Sequence, residues 1–279
     1  MIPLFVGGTG RSGTTVCLEY LGSHSKIYAS NPIEIRVLTE KHGLLDLFET
    51  KNISTFNTYF EKTWKYGTNK TIGLQNFIDI EELFDDLKKI NANITEETIK
   101  NFYFNLIIKQ KGFKQGSLYI GDSTPSNIRY SHRITQIMPD SKFIHMFRDG
   151  RDSAYSIYKM RDYFSVEGSK NEFDCLDWWY DRITQSFESL NQINKEQYIN
   201  VRLEDFVEKQ SIFEQGKILK FLNINNEERL KKYFAKNINK NSMSIGEWKK
   251  LNSWEEFDKA YSNILVKLNK KNINIEKYY

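Results

Sequence analysis

The chain has 279 residues, 39% hydrophobic and 14% aromatic, which supports one large α/β domain and excludes a disordered or fibrous chain. Lys and Arg outnumber Asp and Glu by 40 to 36, and the resulting +4 is too mild to mark a nucleic-acid partner, so any anion chemistry must be local. Cys17 and Cys175 lie far apart with no metal-type spacing, which excludes a disulfide framework and a zinc signature and fits a reducing compartment. The amino end lacks the basic and apolar regions of a signal peptide, and no run approaches the roughly 18 apolar residues of a membrane span. The expectation is a cytoplasmic chain with no membrane span.

An apolar run at 2–6 closes on Gly7 and Gly8, and a helix-like segment resumes at 16–21, giving strand, glycine loop, helix. A short strand is predicted at 26–29, a turn at Ser30-Asn31-Pro32 and a helix over 37–48, with Glu34 and Arg36 at the junction. Residues 51–116 read as a polar, helical insertion, a cap, with an amphipathic helix at 80–90 and another started by Asn93 and Glu96 and reaching about Lys109. A strand at 117–120, a loop at 121–125 and a helix at 126–138 follow, then a strand at 142–147 and a helix from about Ser153. Beyond these come a helix at 173–193, a strand at 198–202, helices at 212–222 and 227–234, and a last helix after Asn237.

This alternation predicts the α/β class: a P-loop-type three-layer fold, its central parallel sheet flanked by helices, with a helical insertion. Neither an internal repeat nor a low-complexity linker interrupts 1–279, which therefore reads as a single domain.

Residues 8–15, GTGRSGTT, fit the P-loop frame G-x-x-x-x-G followed by Ser or Thr, with Thr14 in place of the Walker lysine. Glycines let the backbone wrap an anion, and the loop amides and following helix N-terminus supply the field for phosphate or sulfate oxygens. Arg11 offers the charge the lysine would have carried. ATP chemistry usually combines the loop lysine with Mg²⁺, so the missing lysine weakens a kinase reading. At 147–156, FRDGRDSAYS, a strand delivers Arg148 to a sheet end and a helix carries Ser156 one turn in. An arginine fork and a short hydroxyl suit a phosphate monoester, so two anion sites on one sheet point to a nucleotide with two separated charged groups.

These two motifs resemble those of the sulfotransferases that use 3'-phosphoadenosine 5'-phosphosulfate, which carry an R-S-G-T-T loop and an R-D-x-R...S segment in this order. The resemblance extends to Pro139-Asp140-Ser141-Lys142-Phe143, to Val201-Arg202-Leu203-Glu204-Asp205 and to Ser244-Ile245-Gly246-Glu247-Trp248-Lys249. Ile33-Glu34-Ile35-Arg36-Val37 is similar to the E-x-R-V segment of bacterial sulfotransferases related to the tyrosylprotein sulfotransferases, in which the glutamate is the proposed base.

The resemblance implies that Arg11, Ser12, Gly13, Thr14 and Thr15 hold the 5'-phosphosulfate and that Arg148 and Ser156 hold the 3'-phosphate. Ser244, Gly246 and Lys249 would complete the latter pocket. Glu34 would be the base of an in-line displacement onto a hydroxyl or amine, assisted by Arg11, with adenosine 3',5'-bisphosphate as product and no metal. Ser123 stands where the family commonly has a leaving-group lysine, and Thr124 where the hormone and phenol enzymes have a histidine. Arg36, Asp122 and Ser123 are then candidate acceptor-side residues, with Asp122 the second candidate base, and segments 51–116 and 159–171 are expected to wall the acceptor site. A sugar, a phenol, a lipid or a peptide tyrosine would serve as acceptor, and a homodimer is compatible with the sequence. The competing readings are a nucleotide or small-molecule kinase on a degenerate P-loop and a catalytically inactive nucleotide-binding protein. Trp178 and Trp179 read as packing residues, at least one of them facing the core.

Overall fold

The computed structural model describes residues 1–68, 71–160, 170–208, 211–238 and 243–275. The chain enters through β1 (Ile2–Gly8), α1 (Thr14–Gly22) and β2 (Ile27–Ala29), then forms α2 (Leu44–Thr50), α3 (Ile53–Tyr59) and a π-helical turn at Phe60–Lys65. A two-residue hairpin, β3 (Gly67–Thr68) and β4 (Thr71–Ile72), precedes α4 (Phe84–Ala92) and α5 (Glu96–Ile108). The sheet resumes with β5 (Tyr119–Asp122), a 3₁₀ turn at Pro125–Ile128, α6 (Ser131–Ile137), β6 (Lys142–Phe147) and α7 (Gly150–Lys159). The remainder is α8 (Glu172–Leu190), β7 (Tyr198–Arg202), α9 (Leu203–Val207), α10 (Ser211–Phe221), α11 (Glu228–Asn237) and α12 (Trp254–Lys270).

The main sheet has the order β2-β5-β1-β6-β7, and every pairing is parallel. Parallel strands need crossovers, and helices laid on both faces bury both sides of each strand, which explains the unbroken apolar runs. In β1, Phe5 points to one face, where it meets Phe143 and the helices of 35–107, while Leu4 and Val6 point to the other, among residues of α1, α10 and α11. Segment 51–116 thus supplies much of the core beneath one face: Phe56, Phe60, Leu83, Ile90, Ile99, Phe102 and Leu106 are all buried there. A third cluster joins α7, α8 and α12 around Trp179 and Phe257. Among the described residues no helix is long and apolar enough to cross a membrane.

Several predicted boundaries move for local reasons. The helix expected over 37–48 begins only at Leu44, because 37–43 folds back on itself: Leu44 and Leu45 donate to the carbonyls of Val37 and Leu38, and His42 takes φ 62°. A Cβ on Gly43 would stand 2.4 Å from the Val37 carbonyl oxygen, so this turn requires glycine. The helix expected over 126–138 breaks after Ile128 and restarts at Ser131. Helix α5 is capped by Thr95 rather than Asn93, through reciprocal bonds with Thr98. Helix α7 starts at Gly150 rather than Ser153, since the Asp149 carboxylate accepts from the Arg151 N–H at 2.9 Å.

Candidate active site

Strand β1 lies between β5 and β6, and its carboxyl end opens into a cavity of about 500 Å³ outside the ends of the strands. Open parallel sheets place ligands there. Residues Gly8, Thr9, Gly10, Arg11, Gly13, Thr14 and Thr15 line it. Two of these glycines are sterically required: a Cβ at Gly8 would lie 2.0 Å from the Met146 carbonyl oxygen, and one at Gly13, where φ is 85°, would lie 2.4 Å from Leu203 Cδ1. Gly13 caps α1 without a side-chain acceptor, leaving the first-turn N–H groups available to an anion. Ser12, expected to hold the same anion, is fully buried and does not line the cavity, and among the described residues its hydroxyl has no hydrogen-bond partner.

The second loop is tied to the first. Arg11 Nε donates to Ser156 Oγ at 3.1 Å, and Arg148 Nη1 donates to the Arg11 carbonyl at 3.4 Å. Arg148 Nη2 also reaches the Met243 carbonyl at 2.5 Å and the Ser244 carbonyl at 2.8 Å, so the buried guanidinium straps a third segment to the same wall. Its Nε is buried with no hydrogen-bond partner among the described residues. Burial and the neighbouring Arg148 hold the Arg11 guanidinium below its ordinary pKa, while Glu34 pulls the other way. Arg11 and Ser244 both take positive φ, 55° and 52°, and so does Arg36 at 64°. Such backbone strain, about 1–3 kcal/mol per residue, persists where surrounding contacts over-determine the chain.

Glu34 lines the same cavity on loop 30–36 and pairs with Arg36, whose Nη2 stands 2.6 Å from its Oε2. The carboxylate is 24% exposed. Backbone bonds fix its loop: Ile35 N–H donates to Asp122 Oδ1 at 3.2 Å, Arg36 N–H to Thr124 Oγ1 at 3.0 Å, and Ser123 N–H to the Ile33 carbonyl at 2.8 Å.

These bonds correct two expectations. Asp122 is fully buried and does not line the cavity; Oδ1 accepts from Ile35 N, Thr124 N and Thr124 Oγ1, and Oδ2 from Tyr103 Oη and Asn127 Nδ2. A carboxylate so engaged is no acceptor-side base. Ser123 is equally buried, and its hydroxyl donates to the Ile33 carbonyl at 3.0 Å, so it does not replace the lysine. Both residues hold the loop that carries Glu34.

Two further expectations fail at the carboxyl end. Gly246 and Lys249 border a separate, shallower depression, and of the trio only Ser244 lines the main cavity. Gly246, at φ 75°, turns the chain away; its N–H binds both oxygens of Asp152 at 2.9 Å, and Lys249 rides outward on the following 3₁₀ turn. Segment 51–116 also lines none of the cavity among the described residues. Of the other expected wall, residues 161–169 lie outside the described residues.

The lining residues not predicted as site residues include Glu40, Arg129, Trp178 and Arg182. Trp179 is fully buried, but Trp178 faces the glycine loop, 3.5 Å from where a Gly10 Cβ would stand. Helical spacing contained this signal, because Trp178 and Arg182 are four apart and share a face. Their shared face with the glycine loop depends on how α8 packs.

Residues 3–228 match the family model described as "Sulfotransferase family". The chain is 22% identical over 221 residues to protein-tyrosine sulfotransferase of Drosophila melanogaster, covering 79% of this chain and 38% of that protein. It is likewise 22% identical over 176 residues to human protein-tyrosine sulfotransferase 1, covering 63% and 39%. The chain therefore spans about two-fifths of the length of these relatives. Among solved structures, the sulfotransferase domain from the curacin biosynthetic pathway superimposes with a TM-score of 0.56 at 17% identity, covering 96% of this chain and 97% of that one. The sulfotransferase domain of the Synechococcus PCC 7002 olefin synthase gives 0.54 at 16% identity, covering 94% of each chain. The five-stranded parallel sheet, the glycine loop at its centre and a family match over most of the length agree: the chain belongs to the sulfotransferase family.

Proposed function

We propose that the protein is a sulfotransferase that uses 3'-phosphoadenosine 5'-phosphosulfate and passes the sulfuryl group to a hydroxyl or amine. The observation that carries this reading is the convergence on one cavity of a capless helix N-terminus, the cross-tied Arg11, Arg148 and Ser156, and a carboxylate held by an arginine. The donor set fits a doubly anionic nucleotide, because Arg148 lines the cavity with a buried Nε that has no hydrogen-bond partner among the described residues. The bound donor supplies the activated sulfuryl group, and adenosine 3',5'-bisphosphate leaves as the sulfur–oxygen bond to its phosphate breaks.

The chain's own residues do the rest. Glu34 Oε accepts the proton of the attacking hydroxyl as the new oxygen–sulfur bond forms, and Arg36 fixes the orientation of that carboxylate. Arg11 and the N–H groups of 13–15 stabilise the charge that spreads over the transferring group and the leaving phosphate. Arg11 takes the part of the lysine that Ser123 does not fill. Arg148 and Ser156 hold the 3'-phosphate, which fixes the direction of the in-line displacement. Calorimetric titration of adenosine 3',5'-bisphosphate tests the reading, with AMP and ATP plus Mg²⁺ as competitors. Selective bisphosphate binding that Arg148→Ala and Ser156→Ala weaken is the expected outcome; a preference for ATP plus Mg²⁺ favours the kinase and rejects it.

A further inference from the structure

Positive charge in the cavity extends past the groups assigned to the donor. Arg129, just after the 3₁₀ turn Pro125–Ile128, and Arg182, on α8, both face it. Neither forms an ion pair among the described residues, and Glu40 is the carboxylate acting on Arg129 across the cavity. Arg182 lies over the Trp178 ring at 5.2 Å, with Nη1 3.4 Å from Gln185 Oε1 and a buried Nε that has no hydrogen-bond partner among the described residues. Arg129 lies 5.8 Å from the Tyr130 ring centre. Burial and Arg182 together bring the Arg129 guanidinium down to about 10. A desolvated guanidinium beside a second one whose Nε is buried, with no carboxylate paired to either among the described residues, is an unfavourable arrangement that an anion relieves, and the planar fork matches an oxyanion.

The place of Arg129 in the cavity separates it from the donor groups, and Arg182, whose charge acts on it, is the second member of the pair. Arg148, Ser156, Met243 and Ser244 are bonded together on one side of the glycine loop. The turn preceding Arg129 is joined instead to the Glu34 side: Thr39 Oγ1 lies 2.7 Å from Ser126 Oγ, and Arg36 N–H binds Thr124.

We propose that Arg129 and Arg182 form an anion subsite and that the acceptor is a hydroxyl compound bearing a second, negatively charged group, a phosphate, sulfate or carboxylate, apart from the hydroxyl served by Glu34. The proposal rests on the sulfotransferase reading. Inorganic phosphate is titrated calorimetrically into the full chain saturated with adenosine 3',5'-bisphosphate, for the wild type, Arg129→Met, Arg182→Met and Glu40→Gln. Phosphate is expected to bind the wild-type complex, about tenfold or more weakly in each Met variant, and more tightly in Glu40→Gln, with bisphosphate affinity equal throughout. Phosphate that fails to bind the wild-type complex, or binds all four proteins alike, overturns the subsite. So does a loss of bisphosphate affinity in the Met variants, which moves the pair to the donor. Should the Met variants not fold, Glu40→Gln alone decides by the direction of its change. If the wild type binds no bisphosphate, the sulfotransferase reading fails instead, and the same phosphate series on the free protein still tests the arginine pair.

Discussion

Residues 8–15 and 148–156 meet the cavity directly, whereas segment 51–116 reaches it through intermediaries. The first pair of loops is held by contacts within the wall, Arg11 to Ser156 and Arg148 to the Arg11 carbonyl. The helical segment packs beneath the sheet and sends two polar side chains forward: Tyr103 to Asp122 at 2.8 Å, and Gln110, whose Oε1 accepts from the Asn31 N–H at 2.8 Å. Those two contacts grip the roots of the loop that bears Glu34. A site therefore depends on groups that touch its ligands and on groups that only hold the backbone, and substitutions in the two sets should separate rate from stability.

The largest separation is expected at Glu34. Glu34→Gln keeps the size of the side chain and removes the base, so transfer should fall about a thousandfold while bisphosphate binding persists. Its partly exposed ion pair contributes little to folding, and the unfolding midpoint should hardly move. Single-turnover rates and calorimetry on one preparation check both halves; equal losses of rate and of donor affinity would return Glu34 to a structural role.

His145, in the middle of β6, belongs wholly to the supporting set. It is fully buried, its Nδ1 lies 2.8 Å from Asn200 Oδ1, its Nε2 has no hydrogen-bond partner among the described residues, and Phe187 packs edge-on at 5.1 Å. Burial pushes its pKa down to about 4. The unfolded chain binds a proton near pH 6.5 that the folded chain refuses until about 4, so stability is intact above 6.5 and is lost as pH falls between these values. The loss is about 3 kcal/mol and levels off below pH 4. The difference between denaturation curves of the wild type and His145→Gln over this range isolates the effect; parallel curves reject it.

The same division explains what the sequence disclosed. The alternation of strands and helices, the glycine loop and the Arg148–Ser156 spacing are local patterns: the five strands of the sheet form at the expected segments, and Arg148 and Ser156 both line the cavity. Asp122 and Ser123 were misassigned because spacing places them at a sheet end, where active-site groups gather, but cannot show that Tyr103 and Asn127 saturate the carboxylate from behind. Gly246 and Lys249 lie outside the cavity because left-handed residues at Ser244 and Gly246 turn the chain away, which spacing does not reveal. Arg129 and Arg182 stand 53 positions apart in sequence and line one cavity only through the packing of α8 beside the turn at 125–128. Long-range juxtaposition of this kind leaves no periodic trace in one sequence.

Asp122→Asn should break the supporting side of the comparison. The replacement amide puts an N–H group among five donors, so about 3 kcal/mol of stability is expected to go. Transfer should fall as well, through loss of order at Glu34, with donor affinity retained because the glycine loop and Arg148 are held separately. Urea denaturation and donor calorimetry check the two effects together.

Tyr103→Phe is the mildest and most discriminating change. It removes one hydroxyl from the buried Asp122 cluster, leaves the ring against Phe5, 5.9 Å between centroids, and touches nothing in the cavity. Asp122 keeps four of its donors, so the cost is about 1 kcal/mol. If segment 51–116 serves the site through this contact, kcat falls severalfold at constant donor affinity, and Tyr103→Leu loses far more stability without a matching further fall in kcat. If the segment acts only as core, kcat in Tyr103→Phe stays at the wild-type value while the unfolding midpoint drops, and the connection between α5 and Glu34 is merely mechanical proximity. Because the hydroxyl is removed without a cavity, the two outcomes are distinguished by kcat alone.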